Sequence, residues 1–205
     1  MPTLTADKRV LHVDLQGETI KAAQGSMVAY TGKVEFKHAG MGGGGGLRAA
    51  LKQRIAGESI SLMECTGAGR VTLAQDALDV TLVDLPGDTL QVESESILAV
   101  TDGLRLDVKF TGLQGMTSGQ GLATTTVTGH GQVALLSDGP LIALEVAPGV
   151  PLVVDPDAYV ASRGQLQMNL VSGVSWKTFV GEGSGEPFSL RFEGQGVVFI
   201  QPAER

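Results

Sequence analysis

Cysteine, aromatic residues and long apolar runs are all scarce in this sequence. Cys65 is the single cysteine, so the chain can form neither an internal disulfide nor a zinc site made of cysteines alone. Aromatic residues make up only 4% of the 205 residues, so aliphatic side chains must fill most of any core. The most apolar run, residues 141–154, contains Glu145 and two prolines and is shorter than the roughly 20 residues of a membrane-spanning helix. We therefore expect no transmembrane segment.

Positive charge is scarce as well. The chain has 15 Lys and Arg against 22 Asp and Glu, a formal net charge of −7, and its basic residues do not cluster. Nucleic-acid binding draws much of its affinity from clustered Lys and Arg, so we expect no nucleic-acid partner. Residues 1–10 lack the apolar core of a secretory signal, and a lone free cysteine suits a reducing compartment. A cytoplasmic location is predicted.

Alternation of apolar and polar residues is the main structural signal in what remains. Within Leu104–Phe110, apolar residues alternate with charged ones, which is typical of a half-buried strand. The same period occurs in residues 11–15, 34–36, 78–82, 166–170 and 188–192. The 29 glycines suit tight turns between such strands, and only residues 47–55 are rich in helix formers. The sequence predicts an all-β fold of the sandwich or barrel-like class.

One unit of about sixty residues recurs three times along the chain. Segment 13–20 recurs at 83–90 and more loosely at 145–152, and an alanine follows each copy's glycine by twelve residues, at Ala29, Ala99 and Ala161. A Gly-x-Gly motif ends each copy, at 67–69, 129–131 and 194–196. We predict a single domain over residues 1–205, with pseudo-threefold repeats at about 10–69, 78–131 and 140–200. Residues 197–200 are expected to pair beside residues 11–15 and close the ring.

Several spaced motifs together carry a resemblance to a known family. They are Gly17-Glu18 with Ser26-Met27-Val28, Gly46-Leu47, Gly57-Glu58-Ser59, Gly67-Ala68-Gly69 and Phe192-Glu193-Gly194-Gln195-Gly196. Over nearly its whole length the chain resembles the altered-inheritance-of-mitochondria protein 24 family. The resemblance implies a fold similar to the tryptophan RNA-binding attenuation protein, assembly into oligomers, and for eukaryotic relatives a role in organising the mitochondrial inner membrane. It implies no catalytic residues. The chain shows no Arg- and Ser-rich targeting segment, so a bacterial cytoplasmic member is expected.

Two features are candidate interaction sites. The first is a glycine-rich insertion in the first copy, made of Gly42, Gly43, Gly44, Gly45, Gly46, Leu47 and Arg48. Bare backbone amides can approach an anion, but the loop lacks the Gly-Lys-Ser or Gly-Lys-Thr of a P-loop. A flexible or close-packed turn is therefore the simpler interpretation, and contact with a ligand or partner is the other. The second is Trp176, which has apolar neighbours on both faces of its segment and suits either an interface or a core.

The remaining chemistry-bearing side chains show no pattern of an active site. Neither the three histidines nor the glutamates of three Gly-Glu pairs have the spacing of a metal or acid–base site. The histidines are His12, His38 and His130, and the glutamates are Glu18, Glu58 and Glu186. Solvated histidines and turn carboxylates explain them. Cys65 follows Glu64, and a neighbouring negative charge raises a thiol pKa. We predict no catalytic residue, no metal and no cofactor.

Three functions follow in order of preference. The first is a non-catalytic, self-associating β-scaffold that presents surfaces to other proteins or to a membrane periphery. The second is a small-molecule or anion-binding module with its site between repeats near the glycine-rich loop. The third, RNA binding by analogy of fold, is opposed by the acidic charge.

Overall fold

The computed structural model of the chain describes residues 1–38, 60–110, 123–172 and 188–202. Every regular element among these residues is a β-strand or a one-turn 3-10 helix. The prediction of a nearly all-β chain is therefore confirmed, while the helix-forming residues 47–55 lie outside the described residues. The chain divides into two compact units, Met1–Ser137 and Asp138–Arg205.

The first unit has eight strands among its described residues. They are β1 (Thr3–Asp7), β2 (Val10–Ala23), β3 (Met27–His38), β4 (Leu62–Leu73), β5 (Asp79–Glu93), β6 (Ile97–Thr101), β7 (Leu104–Phe110) and β8 (Ala123–Ser137). Their order in the sheet is β5-β8-β6-β2-β4-β3, with β1 beside β2 and β7 beside β8. All of these pairings are antiparallel.

Alternation along β2 builds the core of the first unit. Leu11, Val13 and Leu15 are buried, and their polar neighbours point to the other face. Leu11 lies opposite Leu73 and Val13 opposite Val71 on β4, so the apolar faces of the two strands coincide. Burial of such pairs stabilises an antiparallel sheet by removing apolar surface from water.

Equivalent bulges interrupt β2 and β5 at the recurring glycine. The register of β2 on β4 shifts between Gln16 and Thr19, and that of β5 on β8 shifts between Pro86 and Thr89. Gly17 has φ 107° and Gly87 has φ 106°, and residues that have a Cβ atom rarely adopt such values. The glycine is therefore required by the bulge at both places.

The second unit has four described strands: β9 (Ile142–Val146), β10 (Leu152–Val154), β11 (Tyr159–Ser172) and β12 (Phe188–Ile200). β12 lies between β11 on one side and β9 and β10 on the other, all antiparallel. Buried Tyr159 stacks on Phe192 with 5.5 Å between ring centroids. The Tyr159 hydroxyl lies 3.0 Å from the Ser162 hydroxyl, so the polar end of the buried ring has a partner.

A one-residue bulge occurs at the same place in three strands. Just before the recurring alanine, the registers of β3 on β4, β6 on β8 and β11 on β12 each shift by one residue. The bulged residues are Val28, Leu98 and Val160. In the first two copies, the spacing of twelve residues seen in the sequence thus separates the glycine of one bulge from the alanine that follows a second bulge on the next strand.

The predicted ring closure is wrong about the strand beside β2. Residues 11–14 pair with β1 on one edge and with β4 on the other. Residues 197–200 lie in β12, between β9 and β11. β1 was missed because it has only five residues and one buried large side chain, Leu4.

Candidate functional site

Among the described residues, exposed large apolar side chains occur as a group on β3 and singly at Met1, Ile142, Val150 and Val153. Met27, Val28 and Tyr30 on β3, here called the β3 patch, include side chains that are 64% (Val28) and 50% (Tyr30) exposed. On β10, Val153 is 55% exposed. Exposed apolar clusters of this kind commonly mark interaction sites.

The β3 patch lies at a sheet edge. β3 is the last strand in the described order, and β4 is its only partner among the strands that the structure describes. The Tyr30 ring meets the Phe36 ring edge to face, with 5.2 Å between centroids, so Tyr30 is held by a contact within its own strand. An exposed edge with apolar side chains and open backbone groups is suited to pairing with another strand.

Strand alternation alone misses the β3 patch. Residues 27–30 are apolar without interruption, and a continuous apolar run is typical of a strand that is covered on both faces. The run was hidden by the clear alternation that follows it at Val34 and Phe36. The signal that could have found it is the contrast between a fully apolar run and the exposure of its side chains.

The best-formed charged contact is a cross-strand ion pair. Arg70 Nε donates to Asp14 Oδ1 over 2.7 Å, and Arg70 Nη2 donates to Asp14 Oδ2 over 2.8 Å. The side-chain hydrogen bond from Arg70 lowers the pKa of Asp14, and the same bond raises the pKa of Arg70. A carboxylate held in this way is a poor proton acceptor near neutral pH, so the pair supports the sheet rather than acid–base chemistry.

Cys65 is unsuited to nucleophilic chemistry. It is fully buried, opposite Ile20 on β2 and Phe36 on β3. Burial raises the pKa of the thiol to about 11, so the reactive thiolate is rare at neutral pH. This is the position of a buried strand residue of β4.

The three histidines lie in different surroundings. His12 Nδ1 lies 3.3 Å from Thr72 Oγ1, His38 is exposed at the end of β3, and His130 is exposed. The His130 ring lies where a side chain at Gly87 would stand. Within the described ranges, no group of three His, Cys, Asp or Glu side chains could hold a metal ion.

Glu18 has a local structural contact. Its carboxylate accepts a hydrogen bond from the Gln16 backbone N–H over 2.6 Å, and this bond lowers the pKa of Glu18. The side chain therefore caps the bulge around Gly17. The predicted interaction loop, Trp176, Glu58 and Glu186 lie outside the described residues, so the interpretation of each stays a prediction.

Comparison with other proteins identifies the family. None of the helices in the described parts of the chain is long and apolar enough to cross a membrane. No curated protein matches the sequence. The crystal structure of protein SPYM3_0169 from Streptococcus pyogenes matches with a TM-score of 0.79 and 22% identity, over 100% of this chain and 94% of that one, which shows a common fold. Residues 3–203 match the family described as mitochondrial biogenesis AIM24, in agreement with the resemblance noted in the sequence, and the chain belongs to that family.

Proposed function

We propose that this protein is a non-catalytic, self-associating β-scaffold of the cytoplasm, whose assembled form presents surfaces to other proteins or to a membrane periphery. The observation that carries the proposal is the β3 patch, where Met27, Val28 and Tyr30 are exposed on a strand edge. An edge of this kind has open backbone donors and acceptors beside apolar side chains. A further strand paired with this edge would satisfy the backbone groups and bury the apolar side chains.

We infer further that the fold consists of three copies of one unit, as in the fold of the tryptophan RNA-binding attenuation protein. Three places support this: β4 lies between β2 and β3, β8 between β5 and the β6–β7 pair, and β12 between β9–β10 and β11. The common bulges at Val28, Leu98 and Val160 support it as well. The repeat bounds 10–69, 78–131 and 140–200 and the single domain stay predictions.

Light scattering on the purified chain tests self-association. The expected result is a mass that is a multiple of 21.2 kDa over a wide range of protein concentration. The Val28→Asp variant should have a lower mass, because it places a charge in the β3 patch. Thr5→Asp is the matched control, since Thr5 is an exposed strand residue of the same unit, and its mass should equal that of the wild type.

Two results would contradict the proposal. One is a wild-type chain that is monomeric at every concentration. The other is turnover of a substrate that a single polar substitution abolishes while the fold is retained, because this would place a catalytic group in the chain.

A further inference from the structure

We infer that β10 of a second copy pairs with the edge of β3 that faces away from β4, with Ala29 opposite Val154, Tyr30 opposite Val153 and Thr31 opposite Leu152. The inference rests on the self-association proposed above and specifies which two strand edges meet and in which register. It follows from a pairing that already exists inside the chain, between β6 and β2.

The internal pairing provides the template. β6 lies between β8 and β2 in the sheet. Its edge towards β2 forms three antiparallel residue pairs: Ile20 with Thr101, Lys21 with Val100 and Ala22 with Ala99. Through these pairs the backbone edge of β6 is joined to the later half of β2.

β3 has the same design as β6, but no second neighbour pairs with it among the strands that the structure describes. Both strands begin with a bulge followed by the recurring alanine, and both runs are apolar. Val28 and Tyr30 are exposed, whereas Leu98 and Val100 at the corresponding positions are fully buried. The residue types are alike, but β3 has no strand beside its second edge among the described strands, whereas β6 has β2 there.

The proposed partner strand is identified by its position after the recurring glycine. Ile20–Ala22 of the template begin three residues after Gly17, and Leu152–Val154, which form β10, begin three residues after Gly149. β10 pairs with β12, and none of the strands that the structure describes pairs with its other edge. β10 therefore stands in its own unit where the later half of β2 stands in the first.

The side chain at the centre of β10 fits an apolar partner. Its counterparts are polar, Lys21 in β2 and Gln91 in β5, whereas β10 has Val153 there. Val153 is 55% exposed and, in the template register, lies opposite Tyr30. Pairing the two edges places the apolar surface of Val153 against that of the β3 patch and removes both from water.

The contact joins two different edges, so it is heterologous. Each copy then contributes β3 to one neighbour and β10 to the other, which produces a closed ring or an open chain of copies. A symmetric contact of β3 with β3 of the partner is a different arrangement. Variants with opposite charges on β3 and β10, compared with variants that have opposite charges on β3 alone, distinguish the two.

A charge-pairing experiment tests the register. Tyr30→Lys and Val153→Glu are made singly and together, and subunit dissociation is measured by sedimentation or light scattering on dilution. Each single variant should raise the dissociation constant at least about tenfold, because a charge is buried opposite an apolar side chain. The double variant places Lys opposite Glu and should return to within about threefold of the wild type.

The matched control is the double variant Tyr30→Lys with Val150→Glu. Val150 is exposed, but it lies in the turn before β10 and outside the three residue pairs. Both double variants lose the Tyr30–Phe36 ring contact, so this loss cancels in the comparison. The control should remain as dissociated as Tyr30→Lys alone, and equal recovery in both double variants would refute the register.

The remaining outcomes separate this inference from the proposal on which it rests. A wild-type chain that is monomeric throughout overturns both. A stable wild-type oligomer with single variants that stay assembled overturns only the β3–β10 pairing. Recovery in a mixture of Tyr30→Lys with Tyr30→Glu, without recovery in the Tyr30→Lys, Val153→Glu double variant, indicates a symmetric β3–β3 contact and also overturns it.

Discussion

Replacing Gly67 by alanine should destabilise the first unit clearly more than replacing Gly17. Both glycines have positive φ, 141° at Gly67 and 107° at Gly17, and such strain in another residue costs about 1–3 kcal/mol. The difference lies in the surroundings. A Cβ at Gly17 would meet no atom within 4 Å, whereas a Cβ at Gly67 would overlap the Lys33 carbonyl oxygen on β3.

The additional cost at Gly67 follows from this overlap. β3 and β4 must move apart there, and losing two backbone hydrogen bonds at about 0.5–1.5 kcal/mol each adds about 1–3 kcal/mol. For chains of this size the addition corresponds to roughly 2–12 °C in the melting temperature.

The assay is urea and thermal unfolding followed by circular dichroism on the wild type, Gly67→Ala and Gly17→Ala. Because the conformational strain is common to both variants, their difference isolates the close approach of the two strands. Equal losses of stability, or a larger loss for Gly17→Ala, would refute the reasoning that the Gly-x-Gly motif exists to let β3 and β4 approach.

Three further predictions concern single side chains. Arg70 lowers the pKa of Asp14, so their ion pair stabilises the fold at pH values above the unfolded pKa of about 4. This contribution is lost as the pH falls through the lower pKa of the folded state. The urea midpoints of wild type and Asp14→Asn should therefore differ at neutral pH and converge in acid. Cys65, with a pKa of about 11, should react with a thiol reagent at pH 8 about 200-fold more slowly in the folded protein than in urea, from its thiolate fraction alone, and an equal rate would show that the site opens readily. Val28→Thr should change the free energy of unfolding of the monomer by less than about 0.5 kcal/mol, whereas Leu98→Thr at the corresponding buried position should cost about 2–4 kcal/mol.

The strands with clear alternation could be predicted from the sequence. Leu104–Phe110 and the segments at 11–15, 34–36 and 166–170 all lie in strands, because a half-buried strand needs one apolar face and leaves that period in the sequence. The family was also predictable, since its motifs at residues 17–18, 67–69 and 192–196 hold glycines at a bulge or at close approaches between strands, where few other residues are tolerated.

The neighbour of a strand is much harder to predict than the strand itself. β1 occupies the edge that residues 197–200 were expected to fill, and nothing in the alternation of residues 11–15 specifies which strand lies beside them. Pairing partners depend on where connections bring segments in space, and a short strand such as β1, with one buried large side chain, leaves little trace. The β3 patch was missed for the same reason. Its apolar run predicts that the side chains are buried, but not which segment or partner buries them.

The two halves of β3 differ in charge, and this difference bears on which partner buries the β3 patch. After Gly32, the strand has Lys33, Glu35 and Lys37 exposed, and Lys37 Nζ lies 3.1 Å from Glu35 Oε2. Charged residues of this kind are how natural proteins keep a free edge from pairing. The first half of the same strand has none, although its Val28 is more than half exposed. An edge protected along one half and left apolar along the other is suited to a partner strand of limited length, and the three residues of β10 match that requirement.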